Sequence, residues 1–445
     1  IFVTGNGSIT NFPFVPTLKI TTTSRRHQLL IHEMDINAGR YLDGEPFAAV
    51  AADAFELLVA TASGQKTKGE HAGHSQVSLW RNWRQTDTSN LAALRARVAP
   101  SGIPLIGSGG RPDRHPMPAT TERVALILPT SMCSTQIARL AADRLNATPL
   151  AREHGLSRFV AFTHSEGCGF GGETMYRLLE RTYRGYLTHP NVAAALLLEH
   201  GCEKIPNDTM RRQLEAAAIP LDRYGWASVQ LDGGIEKAIT KIGAWFSDRL
   251  AQLPPAAPTA DPAALTFALL AAGPVAPTTA AALAELARHT LAAGGSIVLA
   301  EGDPLLAAPA FRTAVLGDTP LHATLAYGQP IAIPGLHLVA SETDHWVENI
   351  TGFAANGAHL ALGVVGTHAQ QGHPLIPVLQ FADPAQRGHI PADDIDAFFT
   401  GDVTNDTALL STVIAAAVRR EKMPVATATG FVDFQLTRGL LGLTT

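Results

Sequence analysis

The chain has 445 residues, a formal net charge of −5, and 46% hydrophobic but only 6% aromatic residues. Its pI of about 6.4 leaves no basic surface for a phosphate backbone, so we expect no nucleic-acid partner. No apolar run approaches the roughly 18 to 20 residues of a membrane-spanning helix, so we expect no membrane partner. The length predicts more than one domain.

Three cysteines occupy the same kind of position along the chain, just after an apolar run: Cys133, Cys168 and Cys202. An odd number of cysteines argues against a disulfide framework and favours a reducing cytoplasm. If the three runs are neighbouring parallel strands, the thiols converge at the sheet edge where open α/β sheets bind ligands. We therefore predict a shared functional cluster, with three inert buried thiols as the alternative.

Two stretches rich in Pro, Gly and Ala, residues 107–121 and 253–264, are predicted linkers. The predicted organisation in chain order is an N-terminal segment (1–90), a linker (91–121), a cysteine-bearing domain (122–252), a linker (253–264) and a C-terminal domain (265–445).

Strand and helix candidates alternate through both larger domains. In the cysteine-bearing domain the strand candidates are VALILPT, FVAFTHS, AAALLLE and ASVQL, each followed by a helical pattern; in the C-terminal domain they are LTFALLAA, GSIVLAE, GLHLVAS and AHLALGVV. This alternation predicts βαβ units and parallel sheets. The predicted fold class is α/β, with two doubly wound, mainly parallel-sheet domains plus an N-terminal α/β segment.

The first residues of the chain resemble its last eighty. A constant shift of 361 positions pairs Gly5 with Gly366, Pro13 with Pro374, Pro16 with Pro377 and Leu18 with Leu379. A shift of 359 pairs Asp35-Ile36 with Asp394-Ile395. We therefore predict an internal repeat. In this interpretation the chain begins, on Ile1 in mid-strand, with the end of one copy whose preceding part was removed or is a separate chain.

Four segments carry a resemblance to a known family: GNGSITNFPFVPTLKI, HEMDINAG, THSEGCG and HPNVAAALLLEHGCEKIPND. They resemble the altronate/galactarate dehydratases, which are sugar-acid hydro-lyases. The motifs are strong in residues 1–80 and 124–245 and weaker after residue 265. In the family the part that resembles residues 1–90 comes last, so the chain resembles a fragment of a tandem-duplicated member. The resemblance implies dehydration of a hexonate or hexarate to a 2-keto-3-deoxy acid.

Such a dehydration needs a base for the proton beside the carboxylate and a Lewis acid for the departing hydroxyl. The resemblance implies that the cofactor is iron. Cys133, Cys168 and Cys202 would suit an iron–sulfur cluster with one iron open to substrate. The alternative is mononuclear Fe²⁺ with His164, Cys168 and Cys202 as mixed ligands, and the spacing of the residues does not decide between them.

Other candidates come from the same motifs. His164 lies four residues before Cys168 and is a candidate for ligand or acid/base work. Glu203 and Lys204 follow Cys202 in a GCE pattern, and Lys19 could act as a base or hold a carboxylate. The predicted catalytic residues are therefore His164, Glu203, Lys204 and Lys19. The predicted substrate-binding residues are Asn6, Asp35, Asn37, Gly39, Gly233 and Gly234, of which the two last glycines open a helix that could offer N–H groups to a carboxylate.

The C-terminal domain departs from the family pattern. AAGPVAPTTAA stands where the family has a GGSDG-like segment, Thr343-Asp344-His345 replaces a GND-like turn, and Gln380 replaces the counterpart of Lys19. A degenerate, non-catalytic repeat that supports an active unit is therefore a second hypothesis. A third is a lyase for another hydroxy acid, such as sulfolactate. The expected partners are a small-molecule hexonate or hexarate and either further copies in a homo-oligomer or a preceding dehydratase unit.

Overall fold

The structure is a computed structural model that describes residues 1–75, 77, 89, 99–109, 122–168, 173–254, 265–341 and 343–437. Most of the two predicted linkers, residues 110–121 and 255–264, lies outside the described residues. The fold is α/β with mainly parallel sheets, as the sequence predicts. In the described ranges, no helix combines the length and the apolar character needed to cross a membrane.

The described strands are β1 (Phe2–Thr4), β2 (Lys19–Thr21), β3 (Ile36–Asn37), β4 (Ile106–Gly107), β5 (Val124–Pro129), β6 (Arg158–Ala161), β7 (Val192–Glu199), β8 (Tyr224–Ser228), β9 (Thr266–Ala271), β10 (Ser296–Ala300), β11 (Leu325–Ala326), β12 (Gly335–Ala340), β13 (Leu360–Val365), β14 (Val378–Ala382) and β15 (Ala397–Phe398). The described α-helices are α1 (Ser24–Leu29), α2 (Phe47–Ala62), α3 (Lys68–His71), α4 (Met132–Asn146), α5 (Leu150–Glu153), α6 (Glu173–Leu187), α7 (Asn207–Ala216), α8 (Ile235–Ala251), α9 (Pro277–Ala292), α10 (Pro309–Phe311), α11 (Trp346–Asn356), α12 (Val403–Val418) and α13 (Val425–Ala428).

The cysteine-bearing domain is a parallel sheet with the order β6-β5-β7-β8. Every residue of β5 is buried, because helices cover both faces of the sheet. Ile137 of α4 and Ile239 of α8 belong to the core on one face, whereas Leu179 of α6 and Met210 of α7 belong to the core on the other. The strand predicted from ASVQL instead begins at Tyr224, since its parallel pairing with β7 starts there.

The sheet of the C-terminal domain has the order β11-β12-β10-β9-β13-β14-β15, all parallel. One part of the predicted 91–121 linker is an exception to the linker assignment. Residues 106–107 form β4, which pairs antiparallel with the start of β12. The sequence did not predict β4, because two residues are too few to show the alternation of a strand and prolines and glycines surround them.

The structure contains the predicted repeat and corrects one detail of it. β1, β2 and β3 form a parallel ladder in which Phe2 faces Lys19 and Ile20 faces Ile36. Shifted by 361 positions, the same register recurs between β13, β14 and β15. The shift of 359 was wrong for the acidic residue, because the counterpart of Asp35 is Asp396.

The hydrogen bonds of the two aspartates establish this equivalence. Asp35 accepts a bond from the backbone N–H of Lys19, at 2.9 Å. Asp396 accepts the same bond from Gln380, at 2.8 Å. Their second carboxylate oxygens accept from the first residue of α3 and of α13, respectively. Each aspartate thus ties two neighbouring strands to the following short helix.

Three parts of the chain pack together in this structure. Ile9, Leu30 and Met34 of the N-terminal segment join the core beside α4 and α8. On the opposite face of the cysteine-bearing domain, α6 crosses α11 of the C-terminal domain at Gly185 and Ala355, so closely that a Cβ on Gly185 would overlap the carbonyl of Ala355. The N-terminal segment therefore lies against the α4 and α8 face of the cysteine-bearing domain through its own apolar contacts.

Candidate functional site

The candidate site lies in what we call the seam, the contact surface between residues 1–75 and residues 122–254. The Gln230 side chain donates to the backbone carbonyl of Asn6 across the seam, at 2.5 Å, and accepts a hydrogen bond from Arg26. Glu33 accepts a hydrogen bond from the backbone N–H of Ile235, at 2.7 Å. Polar bonds therefore hold the two parts in a defined orientation, in addition to the shared apolar core.

The thiols meet at the carboxyl edge of the β6-β5-β7-β8 sheet. Cys133 stands at the start of α4, directly after β5, and its Sγ lies 3.8 Å from the Sγ of Cys168. Two hydroxyls of the N-terminal segment also contact Cys133 Sγ, Ser8 at 3.7 Å and Thr10 at 3.6 Å. Cys202, which follows β7, lies 3.3 Å from Nδ1 of His200. The predicted convergence of strand ends therefore brings Cys133 and Cys168 into contact, and Cys202 lies close enough for its charge to raise the pKa of Cys168.

The three thiols differ in their electrostatics. The hydrogen bond with Cys168 lowers the pKa of the Cys133 thiol to about 6. The same bond, with Cys168 as the donor, raises the pKa of Cys168 well above its ordinary value. Burial raises the pKa of Cys202 to about 12. Cys133 is therefore the thiol that most readily becomes a thiolate, the form that binds metals.

The donor chemistry of this cluster suits iron, because three thiolates from separate loops are the ligands that iron–sulfur clusters use. All three cysteines are free of disulfide bonds. In the described part of the chain, no group of three or more His, Cys, Asp and Glu side chains is already arranged around a metal position. The residues thus match iron by chemical type, and a metal centre built from them belongs to the proposal below.

Glu203 organises the loop that carries Cys202. Its carboxylate accepts hydrogen bonds from Thr130 Oγ1, at 2.9 Å, and from the backbone N–H groups of His200 and Cys202, at 2.6 and 2.8 Å. These bonds fix the turn after β7 against the end of β5. Lys204 is exposed, and its backbone N–H donates to the carbonyl of Gly167.

His164 is buried, and hydrogen bonds within the protein occupy both of its ring nitrogens. Nε2 lies 2.9 Å from the carbonyl oxygen of Pro129 and 2.6 Å from the hydroxyl of Tyr183. Nδ1 accepts from the backbone N–H of Glu166, at 3.1 Å. In this arrangement the imidazole holds the turn before Cys168.

Lys19 is fully buried in β2. Its ammonium lies 3.8 Å from the Asp35 carboxylate and, among the described residues, has no hydrogen-bond partner. Burial lowers the pKa of Lys19, and the charge of Asp35 opposes that shift only in part. A buried lysine of this kind gives up its proton more easily than an exposed one and is suited to act as a base.

Asn37 and Gly39 shape the loop after β3. The Asn37 side chain accepts from the N–H of Gly39, at 3.0 Å, and donates to Ser24, at 2.9 Å. A Cβ on Gly39 would overlap the backbone of Thr23 and Ser24, so only glycine fits there. The polar atoms of Asn37 are thus engaged with the chain's own loop.

Gly233 and Gly234 adopt positive φ angles of 88° and 107°, which favour glycine at the start of α8. The sequence predicted that this helix terminus would offer N–H groups to a substrate carboxylate. The structure instead gives the N–H of Ile235 to Glu33, which also fills the space against Gly234. The anion at this helix terminus therefore belongs to the protein, and it fastens the seam.

A cavity of about 610 Å³ opens at the seam, and none of the three cysteines is among its lining residues. Arg25 and Arg26 line it together with the exposed Asn6 and with Gly201, next to Cys202. Its volume is within the range of small-molecule sites. The carboxylates of Glu199 and Asp208 also line it, so the cavity presents both positive and negative side chains.

The sequence argument missed Arg25, Arg26 and His200. His200 immediately precedes the GCE pattern, so its position was a usable signal. The sequence shows two adjacent arginines but not their function. Only the packing of α1 against the cysteine-bearing domain places them at the cavity.

Two family models match the chain. Residues 1–85 match "D-galactarate/Altronate dehydratase, C-terminal", and residues 117–253 match "D-galactarate dehydratase/Altronate hydrolase, second domain". The two matched parts are those that meet at the seam, and along this chain the C-terminal-domain match comes first. A comparison with curated proteins returned no match.

Proposed function

Because this chain belongs to the D-galactarate/altronate dehydratase family, we propose that it removes water from a sugar acid of the altronate or galactarate type. A base takes the proton beside the carboxylate, and the hydroxyl on the next carbon leaves as water. The resulting enol tautomerises to a 2-keto-3-deoxy acid. The family match supports the hydro-lyase class, and the choice of substrate and mechanism is the proposal.

One observation carries the proposal. The hydroxyls of Ser8 and Thr10 touch Cys133, so the two parts that match the family models are in contact at this thiol, which supports a site built from both. The thiol edge, the cavity and the buried lysine all lie on the two parts that meet at the seam. A purely structural repeat has no physical need to bring these groups together.

The roles follow from charge and burial. Arg25 and Arg26 bind the carboxylate of the sugar acid, because paired guanidinium groups favour carboxylates. Lys19 takes the proton, since burial holds its pKa below that of a free lysine. Glu203 keeps Cys202 in place through its bonds to the backbone of that loop.

The cysteines define the metal site of the proposal. Cys133, Cys168 and Cys202 would hold iron, as an iron–sulfur cluster in preference to mononuclear Fe²⁺, because all three donors are thiols. When bound, the iron supplies Lewis acidity to the departing hydroxyl. We place the reaction in the cytoplasm, where thiols remain reduced.

The test begins with protein purified without oxygen, on which iron and acid-labile sulfide are measured. The protein is then incubated separately with altronate, galactarate and 3-sulfolactate. Release of a 2-keto-3-deoxy acid from either sugar acid is the expected result. Turnover of sulfolactate alone would favour the lyase for another hydroxy acid, and turnover of none of the three would leave the degenerate repeat as the better description.

A further inference from the structure

His74 is a buried histidine whose ring has no hydrogen-bond partner among the residues that the structure describes. It follows α3 in the N-terminal segment and is only 1% exposed. Within the described residues, neither Nδ1 nor Nε2 finds a donor or acceptor. Buried polar atoms are almost always paired, so two unpaired nitrogens on one ring need an explanation.

Two other buried histidines, His189 and His373, show the usual state. In His189, Nε2 lies 3.0 Å from the carbonyl of Ala358 and Nδ1 accepts from the N–H of Asn191, also at 3.0 Å. His373 similarly contacts the Tyr186 hydroxyl and accepts from backbone N–H groups. These imidazoles fasten the fold, whereas His74 makes no such bond.

The neighbours of His74 are also unusual. Its backbone N–H donates to the carbonyl of Gly69, at 3.2 Å, and the ammonium of Lys19 lies against the same glycine, where a Cβ would overlap it. His200, from the other side of the seam, is fully buried and has an unpaired Nε2 in the described structure. Three buried titratable side chains with unpaired polar atoms therefore cluster at the seam.

Electrostatics define the form of the ring. Burial, together with the positive charges of His200 and Lys19, lowers the pKa of His74 to about 3. The imidazole is therefore neutral near pH 7, with one nitrogen that donates and one that accepts. A ring of such low basicity is a poor proton acceptor, so the base remains Lys19. It is well suited to a hydroxyl group, which also donates and accepts.

We propose that His74 is a substrate-binding residue of this site, whose two ring nitrogens pair with hydroxyl groups of the sugar-acid chain bound beside Lys19. The inference rests on the proposed function and deepens it. It assigns recognition of the hydroxylated carbon chain to His74 and leaves the carboxylate to the arginine pair.

The test compares His74→Gln and His74→Phe with the wild type, and uses His71→Gln as the control. His71 is an exposed histidine of the same short segment, and its variant should behave as the wild type. Both His74 variants should raise KM for the sugar acid about tenfold or more, because substrate hydrogen bonds are lost. The melting temperature of His74→Phe should not fall, since no hydrogen bond within the protein is removed.

An unchanged KM overturns the inference. An unchanged KM with a lowered melting temperature in both variants means that His74 only supports the fold. If the wild type turns over no sugar acid, the proposed function fails, and calorimetric titration with galactarate decides the role of His74 separately. Binding that is present in the wild type and at least tenfold weaker in His74→Gln supports the inference, whereas equal binding in both, or none in either, overturns it.

Discussion

The N-terminal segment and residues 360–434 are two versions of one structure with different chemistry. Both carry the same parallel ladder in the same register and the same aspartate bonds. At the position of Lys19, however, the second copy has Gln380, whose amide bonds twice to the backbone of Gln370, accepting at 2.7 Å and donating at 2.5 Å. The strand ladder therefore accommodates either side chain. The two copies differ at this position in whether the side chain is an amine or an amide.

The two copies also differ in what surrounds them. Val3 in β1 is 60% exposed, whereas its counterpart Val364 is 5% exposed because β13 pairs with β9. The loop after β1 reaches the thiols, while Gln370 and Gln371 line a separate cavity of about 810 Å³ that also includes Asp303. One scaffold thus serves a thiol-bearing seam in one place and a thiol-free cleft in the other. This contrast can be tested by substitution.

The largest effect should come from removing a thiol. We expect Cys168→Ser to abolish iron binding and dehydration together, because the remaining two cysteines cannot hold a three-thiolate centre. Thr188→Ser, at an exposed hydroxyl of the same domain, serves as the control. Iron analysis by mass spectrometry is the measurement, and unchanged iron content in the variant would rule out the three-cysteine cluster.

Lys19→Gln gives the first copy the residue of the second. We expect kcat to fall by about 10²- to 10⁴-fold, the usual range for a missing general base. The melting temperature should be retained, since Gln380 shows that glutamine fits this ladder. Lys66→Gln, on an exposed lysine, is the control; a fully active Lys19→Gln enzyme would rule out Lys19 as the base.

The pH profile sharpens this test. A base must be deprotonated to act, so wild-type activity should rise with pH as Lys19 loses its proton. Because burial lowers the pKa of Lys19 from the 10.5 of an unperturbed lysine, this rise should lie at a lower pH than 10.5. The residual activity of Lys19→Gln should lack it.

Asp303→Asn probes the cleft of the second copy. Burial raises the pKa of Asp303 from 3.8 to about 7, so the folded state holds the proton more tightly than the unfolded chain. That stabilisation is complete below about pH 4 and is lost as pH rises to about 7. The variant cannot ionise, so its stability relative to the wild type should rise by up to about 4 kcal/mol between low pH and pH 7. Its starting value at low pH should be lower, because the Asn amide nitrogen cannot accept one of the two backbone N–H bonds that Asp303 accepts from Ala271 and Leu305. The free energy of unfolding is measured with urea at several pH values between about 4 and 7 for both proteins. A difference between them that does not change with pH would contradict the prediction.

The smallest expected effect concerns the fastening of the seam. Glu33→Ala removes the carboxylate that accepts from Ile235 at the start of α8, and we expect a loss of about 1 to 2 kcal/mol. Glu56→Ala, on the exposed face of α2, is the control. At the same shift of 361, the counterpart of Glu33 is the exposed Asp394, so Asp394→Ala should cost little. Equal losses for Glu33→Ala and Asp394→Ala in thermal denaturation would refute a special role for the seam.

The sequence predicted what depends on local pattern. The apolar runs that became β5, β7, β9 and β13 were readable, as were the helices that follow β5 and β7, because buried strands and amphipathic helices have distinct periods. The meeting of Cys133 and Cys168 followed from parallel strands that share one edge. The repeat was found from proline and glycine spacing, although the aspartate was misplaced by two positions.

The sequence could not predict what depends on contacts between distant parts. Gly234 was expected to face a substrate, but it faces Glu33, which stands about two hundred positions earlier. Histidine is a common acid/base residue, but only the structure shows that Nε2 of His164 is hydrogen-bonded to Pro129 and Tyr183. Arg25 and Arg26 reach the cavity only because α1 packs against the cysteine-bearing domain.

The length of chain between the partners at the seam has a consequence for folding. Thr10 contacts Cys133 across 123 positions, and Asn6 bonds to Gln230 across 224. Contacts of such high sequence separation carry a large loop-closure entropy and form slowly. During refolding, helical content should therefore return before catalytic competence, and the interval between the two should reflect docking of residues 1–75 rather than formation of any sheet.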